Sequence, residues 1–553
     1  MCGIWAYIQL INNKNIPYSK LYNNFMNIKS RGPDTSIFQT INDSVFIGFH
    51  RLGIIDLNFH ANQPFIIEYN QKTIVFICNG EIYNFKELIF DHNLPILNNS
   101  DCLTIPRLYI KYNNDLSKFY NLFDNDIKGE FAFILLEFDN LKNLTHIIAG
   151  RDQIGIRPLY YHKPDNNSDS LLFSSEIKGM NFFENEIQEF EPGTIIKINI
   201  DNLDKSCNLY KYNFKNIYNI VHTPFNLENH ILEKIRYATI NSIKRRLISD
   251  RPIAFLLSGG VDSSLVAAIS ARLLNNPINT YCCGMIGGTD LKYAKSVADF
   301  IKSNHHEIIF TENEGLNAID DVIYTTETWD ITTIRASVGQ YLVCKYIGTK
   351  TDGKVVMVGE GPDEICSSYL FNYYAPNGSE LHETAKEYVE KIHMFDGRRA
   401  DRCISRWGLE GRIAFLDPEF ISAYWEIDPE KRHPKYKGIE KWWLRKAFES
   451  SNILPHEVLW RKKEAFSDGV SSEQKSWFEI IQDNIKTLAS DQELSESNYP
   501  TLESYYYKKQ FIKYFGENRL NIIPHYWQPK WINNDKYTDP SARTLKVYNS
   551  TEN

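Results

Sequence analysis

Between Ile253 and Phe310 the sequence alternates short apolar runs with helical stretches: Ile253 to Leu257, Leu265 to Leu274, Ile278 to Gly284, Leu291 to Lys302, and Glu307 to Phe310. A repeated strand, turn and helix buries both faces of its strands only as a parallel sheet with helices on either side. This region therefore predicts a doubly wound α/β fold. Lys354 to Val358 reads as a further strand of that sheet, and the chain on to about Phe515 as mostly amphipathic helix. The polar tail from Asn533 is expected at the periphery.

The first two hundred residues have another rhythm. Ile4 to Ile8, Val45 to Phe49, Thr73 to Cys78, Phe131 to Phe138, Thr145 to Ala149, Leu171 to Phe173 and Thr194 to Ile200 are β-branched or aromatic runs bounded by Asn, Asp and Gly. One or two helical stretches, such as Phe85 to Phe90, interrupt them. The expectation is sheets packed on each other with helices outside. Glu191-Pro192-Gly193 and an Asn-rich polar stretch from Asp201 to Asn219 suggest a boundary, dividing the chain into units 1–205 and 206–553.

The chain has 553 residues, 43% of them hydrophobic and 24% charged, which is enough apolar surface for more than one core. Its net charge of -8 provides no global basic field for a nucleic-acid backbone, so nucleic acid is not expected as a partner. No apolar run approaches the ~20 residues of a membrane helix, so no membrane is expected either. The N-terminal MCGIWAYIQLI lacks the basic flank and cleavage pattern of a signal peptide and reads as a buried first strand. Cys2, Cys78, Cys102, Cys207, Cys282, Cys283, Cys344, Cys366 and Cys403 form no C-x-x-C pair, and nine thiols cannot all pair within one chain. That favours a reducing compartment and core thiols over a structural metal.

Two segments carry chemistry in the second half. Ser258-Gly259-Gly260-Val261-Asp262-Ser263-Ser264 lies between a strand and a helix, where glycines, hydroxyls and helix-terminal amides can wrap an anion. It lacks the Gly-Lys-Ser/Thr ending of a Walker loop. An Asp within a phosphate cradle makes sense if it holds magnesium against pyrophosphate, and Asp363, in Val358-Gly359-Glu360-Gly361-Pro362-Asp363-Glu364, supplies a second oxygen ligand at another strand end. Taken alone, the Ser-Gly-Gly run is equally a structural turn.

At the N-terminus, removal of Met1 would leave Cys2 with a thiol and a free α-amine on one residue, a nucleophile with its own base. Asn79 can aim its amide at an oxyanion, and Gly80 lets its N–H approach the same point. Arg51 offers a planar fork for an α-carboxylate, while Asp101 and the Glu81 backbone can accept from an α-ammonium. Together these describe a pocket for an amino acid. Each alone has a plainer reading: Asn79-Gly80 as a hairpin turn, Cys2 as an ordinary residue.

The ordered set MCGI, RGPD, RLGIID, NGEIYN, SD, GEFAF, GRDQIGIRPLYY and FSSEIK resembles the glutaminase domain of class II glutamine amidotransferases, of the αββα N-terminal-nucleophile type. The resemblance implies Cys2 as nucleophile, Asn79 and Gly80 as oxyanion donors, and Arg51, Leu52, Gly53, Ile54, Ile55, Glu81 and Asp101 around glutamine. Ser30, where many members have His, is a departure expected to be tolerated. The second half resembles the ATP-pyrophosphatase domain of the asparagine synthetases through the segments above together with TTIRAS (332–337), WRKKEAFSDGV (460–470) and DPSAR (539–543). This implies that Leu257, Cys283, Val358 and Gly359 line the ATP pocket with the Ser258–Ser264 loop, and that Thr332, Thr333 and Arg335 contact aspartate or its activated form. It also implies Glu360 as base for ammonia, Lys463 on the departing pyrophosphate, and ATP with Mg2+ at Asp262 and Asp363. The implied activity is ATP-dependent asparagine synthesis from aspartate with glutamine as nitrogen donor, in a cytoplasmic enzyme, with homodimerisation as a family expectation.

Departures at Val358, Pro362, Ser367-Ser368 and the Pro-less Arg412-Ile413-Ala414-Phe415 predict weakened nucleotide binding rather than altered chemistry. An amidotransferase or cyclase-like synthetase for another carboxylate is the rival enzyme, opposed by TTIRAS. A non-catalytic relative is opposed by the retained Cys2, Arg51, Asn79, Asp101, Asp262, Asp363 and Lys463.

Overall fold

The computed structural model describes residues 1–10, 16–96, 98–162, 170–183, 186–200, 207–214, 216–218, 228–464, 469–471, 475–490, 501–523, 527–531 and 539–540. In its first unit the strands are β1 (Gly3–Gln9), β2 (Thr35–Asn42), β3 (Val45–Arg51), β4 (Phe65–Tyr69), β5 (Lys72–Ile82), β6 (Gly129–Phe138), β7 (Leu144–Arg151), β8 (Tyr160–Tyr161), β9 (Ser170–Ser174), β10 (Gln188–Glu189), β11 (Thr194–Ile200) and β12 (Cys207–Asn213). They form two antiparallel sheets, ordered β10-β8-β9-β1-β3-β2 and β12-β11-β7-β6-β5-β4. Period-two alternation sets the layers. On β5, Val75 and Ile77 face Ile4, Ala6, Ile47 and Phe49 of the other sheet. Phe76 and Cys78 face outward onto Ile105, Leu108, Phe119 and Leu122.

Those outer residues belong to α3 (Thr104–Tyr112) and α4 (Leu116–Asn125), which follow α1 (Tyr18–Met26) and α2 (Phe85–Asp91). The first unit thus has the helix, sheet, sheet, helix layering that its resemblance implied, but with more helix than its apolar runs suggested. In α1, YSKLYNNFM buries only Leu21, Asn24 and Phe25, so its amphipathic face is too short to stand out in sequence. Strand β12 pairs with β11 from Ile200↔Cys207 to Thr194↔Asn213, so the second sheet continues past residue 205. We place the boundary after Asn213, because cutting earlier would strip the sheet of its edge strand.

In the second unit, α5 (Glu228–Arg245) precedes β13 (Ile253–Leu256), α6 (Val261–Leu274), β14 (Asn279–Gly284), α7 (Thr289–Ile301), β15 (Asn304–Ile309), α8 (Glu312–Thr326), α9 (Ile331–Lys350), β16 (Val355–Val358), α10 (Pro362–Ile365), α11 (Gly378–Lys391), α12 (Asp396–Ser405) and β17 (Glu410–Ile413). The sheet is ordered β15-β14-β13-β16-β17, with every pairing parallel. The chain runs outward one way from β13 and then returns to its other side with β16. That reversal is a topological switch point, and the crevice beyond the carboxyl ends of β13 and β16 is where such sheets bind ligands. Strand β17 escapes a search for apolar runs because two of its four residues are the buried charges Glu410 and Arg412. Cys282 and Cys283 are both buried, as expected for a strand covered on each face. The polar tail lies largely outside the described residues, and among those residues no helix is long and apolar enough to cross a membrane.

Candidate active sites

The loop after β13 is shaped by close packing. Gly259 takes φ +74°, and a Cβ there would lie 2.4 Å from Tyr293 Cβ. A Cβ on Gly359, after β16, would lie 2.6 Å from the Ser263 amide nitrogen. Only glycine lets the two loops meet at this distance. Beside them is a cavity of about 160 Å³, lined by Leu257, Ser258, Gly260, Asp262, Ser263, Cys283, Gly359, Glu360, Asp363 and Lys463 among others. Ten of the residues expected from sequence thus share one cavity. Within the loop, Ser258 Oγ and Ser263 Oγ lie 3.0 Å apart.

Lys441, just ahead of the helix Trp442–Glu449, joins the two acids and carries no motif of its own. Its ammonium donates to Asp262 Oδ2 and lies 2.5 Å from Asp363 Oδ1, while Lys463 Nζ donates to Asp363 Oδ2 at 2.6 Å. Burial acts to raise the Asp363 pKa, but the two ammonium groups hold it far below the usual carboxylate range. For Asp262 burial wins over Lys441, and the pKa rises. Asp262 Oδ1 is buried with no hydrogen-bond partner. Ser368 Oγ also donates to Asp363, so the Ser-Ser departure adds a ligand to this acid.

Glu360 lies on another wall. Its Oε1 accepts from Gln340 Nε2 at 2.9 Å and from Arg399 Nη1 at 3.2 Å. Burial nevertheless outweighs Arg399 and raises its pKa above the ordinary value for Glu. Arg461 pairs with Asp290 at 3.1 Å and Glu464 at 2.8 Å and stacks on Tyr293, anchoring the segment that carries Lys463. Burial pushes Asp290 up to about 7. Sequence reading missed Lys441, Arg399, Gln340, Arg461 and Asp290, whose partners are brought together only by the fold.

Other expected residues lie elsewhere. Gly259, Ser264, Val358, Thr332, Thr333 and Arg335 are not among the residues lining the cavity. The Val358 side chain is fully buried in the apolar core. Thr332 and Thr333 donate their hydroxyls to Asp330, which caps α9 by accepting from the Thr333 backbone N–H at 2.8 Å. Arg335 is held on both edges, by Glu503 (Nε at 2.9 Å) and by Asp539 (Nη1 at 3.0 Å). Its guanidinium is already paired in this structure. Residues 465–468 and 541–543 of the matching segments lie outside the described residues.

In the first unit, Cys2 Sγ lies 3.6 Å from Leu52 O, and the Cys2 carbonyl accepts from Arg31 Nε at 2.9 Å. The Met1 ammonium donates to Leu409 O at 2.9 Å, and burial lowers its pKa to about 5. With Met1 in place, burial pushes the Cys2 thiol up to about 11. Asn79 is 1% exposed, and both its amide oxygen and nitrogen lack partners. Such an amide is free to donate to a developing charge. A Cβ on Gly80 would meet Glu130 O at 2.2 Å, so glycine is required there by the ladder itself.

Asp101 Oδ2 accepts from the Ile82 amide at 2.7 Å, and burial raises its pKa to about 6. Glu81 Oε2 has no hydrogen bond and lies 3.5 Å from Arg412 Nη2 of the second unit. Arg51 spends its Nη groups on Asp56 O, Asn58 O and Asn62 Oδ1, bracing its own loop. Gly53 N donates to Asp34 Oδ2 at 2.9 Å, and Leu52 and Ile54 pack on Val355 of β16, with Ile55 alongside. The loop expected around glutamine is therefore seated on the other unit's sheet.

The comparisons agree with this division of labour. Residues 1–211 match the glutamine amidotransferase domain family, and residues 234–388 and 375–531 match the asparagine synthase family. Glutamine-hydrolysing asparagine synthetase of Gallus gallus is 38% identical over 581 residues, covering 100% of this chain and 99% of the relative. The enzymes of Rattus norvegicus and Homo sapiens are 38% and 37% identical, likewise over essentially full length. With both domain families matched and the full length shared with these relatives, the chain belongs to the glutamine-hydrolysing asparagine synthetase family.

Proposed function

We propose that the chain makes asparagine in two half-reactions at the two sites. In the α/β cavity the aspartate side-chain carboxylate attacks ATP, giving β-aspartyl-AMP and pyrophosphate. In the first unit the Cys2 thiol, as thiolate, attacks the side-chain amide of glutamine. Asn79 and the Gly80 N–H receive the oxyanion, ammonia leaves, and water releases glutamate from the thioester. Ammonia then displaces AMP from the activated aspartate, with Glu360 placed to take its surplus proton. An acyl adenylate hydrolyses in water, and ammonia is mostly protonated at neutral pH, so passage within the protein serves both species.

The observation that carries this reading is the convergence of Asp262 and Asp363, from the ends of β13 and β16, with Lys441 and Lys463 in the cavity that also holds Glu360. Two fixed cations beside two acids suit a leaving pyrophosphate. Mg2+ fits the same place. Asp262 Oδ1 is a buried oxygen without a partner, and two protein carboxylates leave the remaining positions to phosphate oxygens and water, as this ion prefers. Asp262 and Asp363 would hold it, and it would supply charge neutralisation on the phosphates. The test is product analysis. Aspartate, ATP and ammonium should yield AMP and pyrophosphate in equal amounts with asparagine; ADP and phosphate, or AMP formed without aspartate, contradict the reading.

A further inference from the structure

Arg31 is fully buried between the units and joins the backbone of Cys2 to a side chain of the second unit. Its Nε donates to Cys2 O at 2.9 Å, and its two Nη groups grip Asp401 in a bidentate pair, Nη1 to Oδ2 at 2.7 Å and Nη2 to Oδ1 at 3.0 Å. Nη1 also meets Glu176 Oε1 at 2.7 Å. Asp401 sits on α12 and is itself held by Arg402 Nη1 at 2.6 Å. A guanidinium is planar, so fixing its Nη edge on a carboxylate fixes where its Nε–H points. Here it points at the carbonyl of the residue that bears the nucleophile.

We infer that Asp401 is a positioning residue for glutamine hydrolysis: the synthetase unit, through Asp401 and Arg31, sets the place of the Cys2 thiol. The inference rests on the reading of Cys2 as the nucleophile. The same helix serves the other site independently. Arg399, two residues earlier and so about 200° around α12, faces Glu360 and is steadied by Asp396 Oδ1 at 3.2 Å and by Gln340. Disturbing Asp401 therefore need not disturb Glu360. Attack geometry is demanding, and an error of about 1 Å in a reacting atom costs on the order of a hundredfold in rate. In Asp401→Asn one carboxylate oxygen becomes an NH2 group facing a guanidinium N–H, so the planar grip is lost while shape is kept.

The experiment is Asp401→Asn in the full chain. Glutaminase kcat should fall about tenfold or more, glutamine KM should stay within about twofold, and alkylation of Cys2 by iodoacetamide should change in rate. Ammonium-dependent asparagine synthesis should stay within about twofold of wild type. Arg31→Lys, which keeps the charge but loses the fork, should show the same selective loss, and the double variant should be no worse than the poorer single. Unchanged glutaminase kcat in both variants, or equal loss of glutaminase and ammonium-dependent synthesis, overturns the proposal. A Cys2→Ala control separates the premise: glutaminase surviving in it would overturn the nucleophile, whatever Asp401 does.

Discussion

The Lys441 ammonium lies 2.5 Å from Asp363 and donates at the same time to Asp262, two acids that lie about a hundred residues apart in the chain. Lys441 is buried and the two acids are partly so. Removing the cation leaves two partly buried carboxylates with Lys463 as their one remaining ammonium among the described contacts, a change that costs less than the roughly 3 to 5 kcal/mol of breaking a fully buried pair. Lys441→Met should therefore lower thermal stability and abolish AMP formation from either nitrogen source. Because Asp262 then loses its cation and Asp363 keeps only Lys463, added Mg2+ should raise the melting temperature of the variant more than that of wild type. Equal shifts would show that Asp262 and Asp363 are not a cation site.

Asp101 gives the glutamine site a pH dependence. Its pKa is raised to about 6 because burial outweighs the hydrogen bond from Ile82 N–H. Below that value it is mostly neutral and accepts poorly from an α-ammonium. Glutamine affinity, measured by calorimetry on Cys2→Ala so that no turnover intervenes, should strengthen about tenfold between pH 5 and pH 7. In Asp101→Asn the affinity should be weak and flat over this range. A wild-type affinity independent of pH would remove Asp101 from the clamp.

The interface between the units should fail in acid. Glu176 is lowered from 4.5 to about 2: burial opposes the shift, but Lys178 and Arg31 overcome it. A depressed carboxylate contributes stability that is present above its unfolded pKa and is lost as pH falls through the folded value. The window is therefore pH 4.5 down to about 2. The full effect is roughly 3 kcal/mol. Glu176→Gln should be less stable than wild type at pH 7, and the gap should narrow as pH falls from 4.5 toward 2. A constant gap would mean that its charge contributes nothing.

Val358 was expected to weaken ATP binding by lacking a hydroxyl, and the fold changes that expectation. Its side chain is fully buried in the core and lines no part of the cavity, while Pro362 opens α10 at a position where a missing N–H costs least. Val358→Ser should leave ATP affinity within about twofold of wild type and destabilise the protein by about 1 to 3 kcal/mol, the usual cost of a buried hydroxyl without a partner. Tighter ATP binding in this variant would restore the earlier view.

What was legible in the sequence was whatever is encoded locally. The apolar runs of β13, β14 and β16 and the motifs before Ile200 are patterns of consecutive residues, readable without knowing what they pack against. Lys441, Arg399 and Asp401 were not legible. The partners that give them a role, Asp262 and Asp363 for Lys441, Glu360 for Arg399 and Arg31 for Asp401, lie far away in the chain, and no spacing rule links them. Arg335 shows the converse. Its motif suggested a substrate contact, yet the fold pairs it with Glu503 and Asp539, groups no local pattern would join to it. The edge strand β2, TSIFQTIN, was passed over because its apolar residues come as the pair Ile37-Phe38 and the single Ile41, with no longer run and no alternation.

The central claim is that one chain holds a glutamine-hydrolysing site at Cys2 and a separate ATP site around Asp262, Asp363 and Lys441, with ammonia passing from the first to the second. The most direct measurement is asparagine formation by Cys2→Ala, with glutamine and with ammonium as alternative nitrogen sources. The account predicts no detectable asparagine or glutamate from glutamine, and synthesis from ammonium within about twofold of wild type. Glutamate still released from glutamine, or loss of the ammonium-dependent reaction in a variant that remains folded, would contradict it.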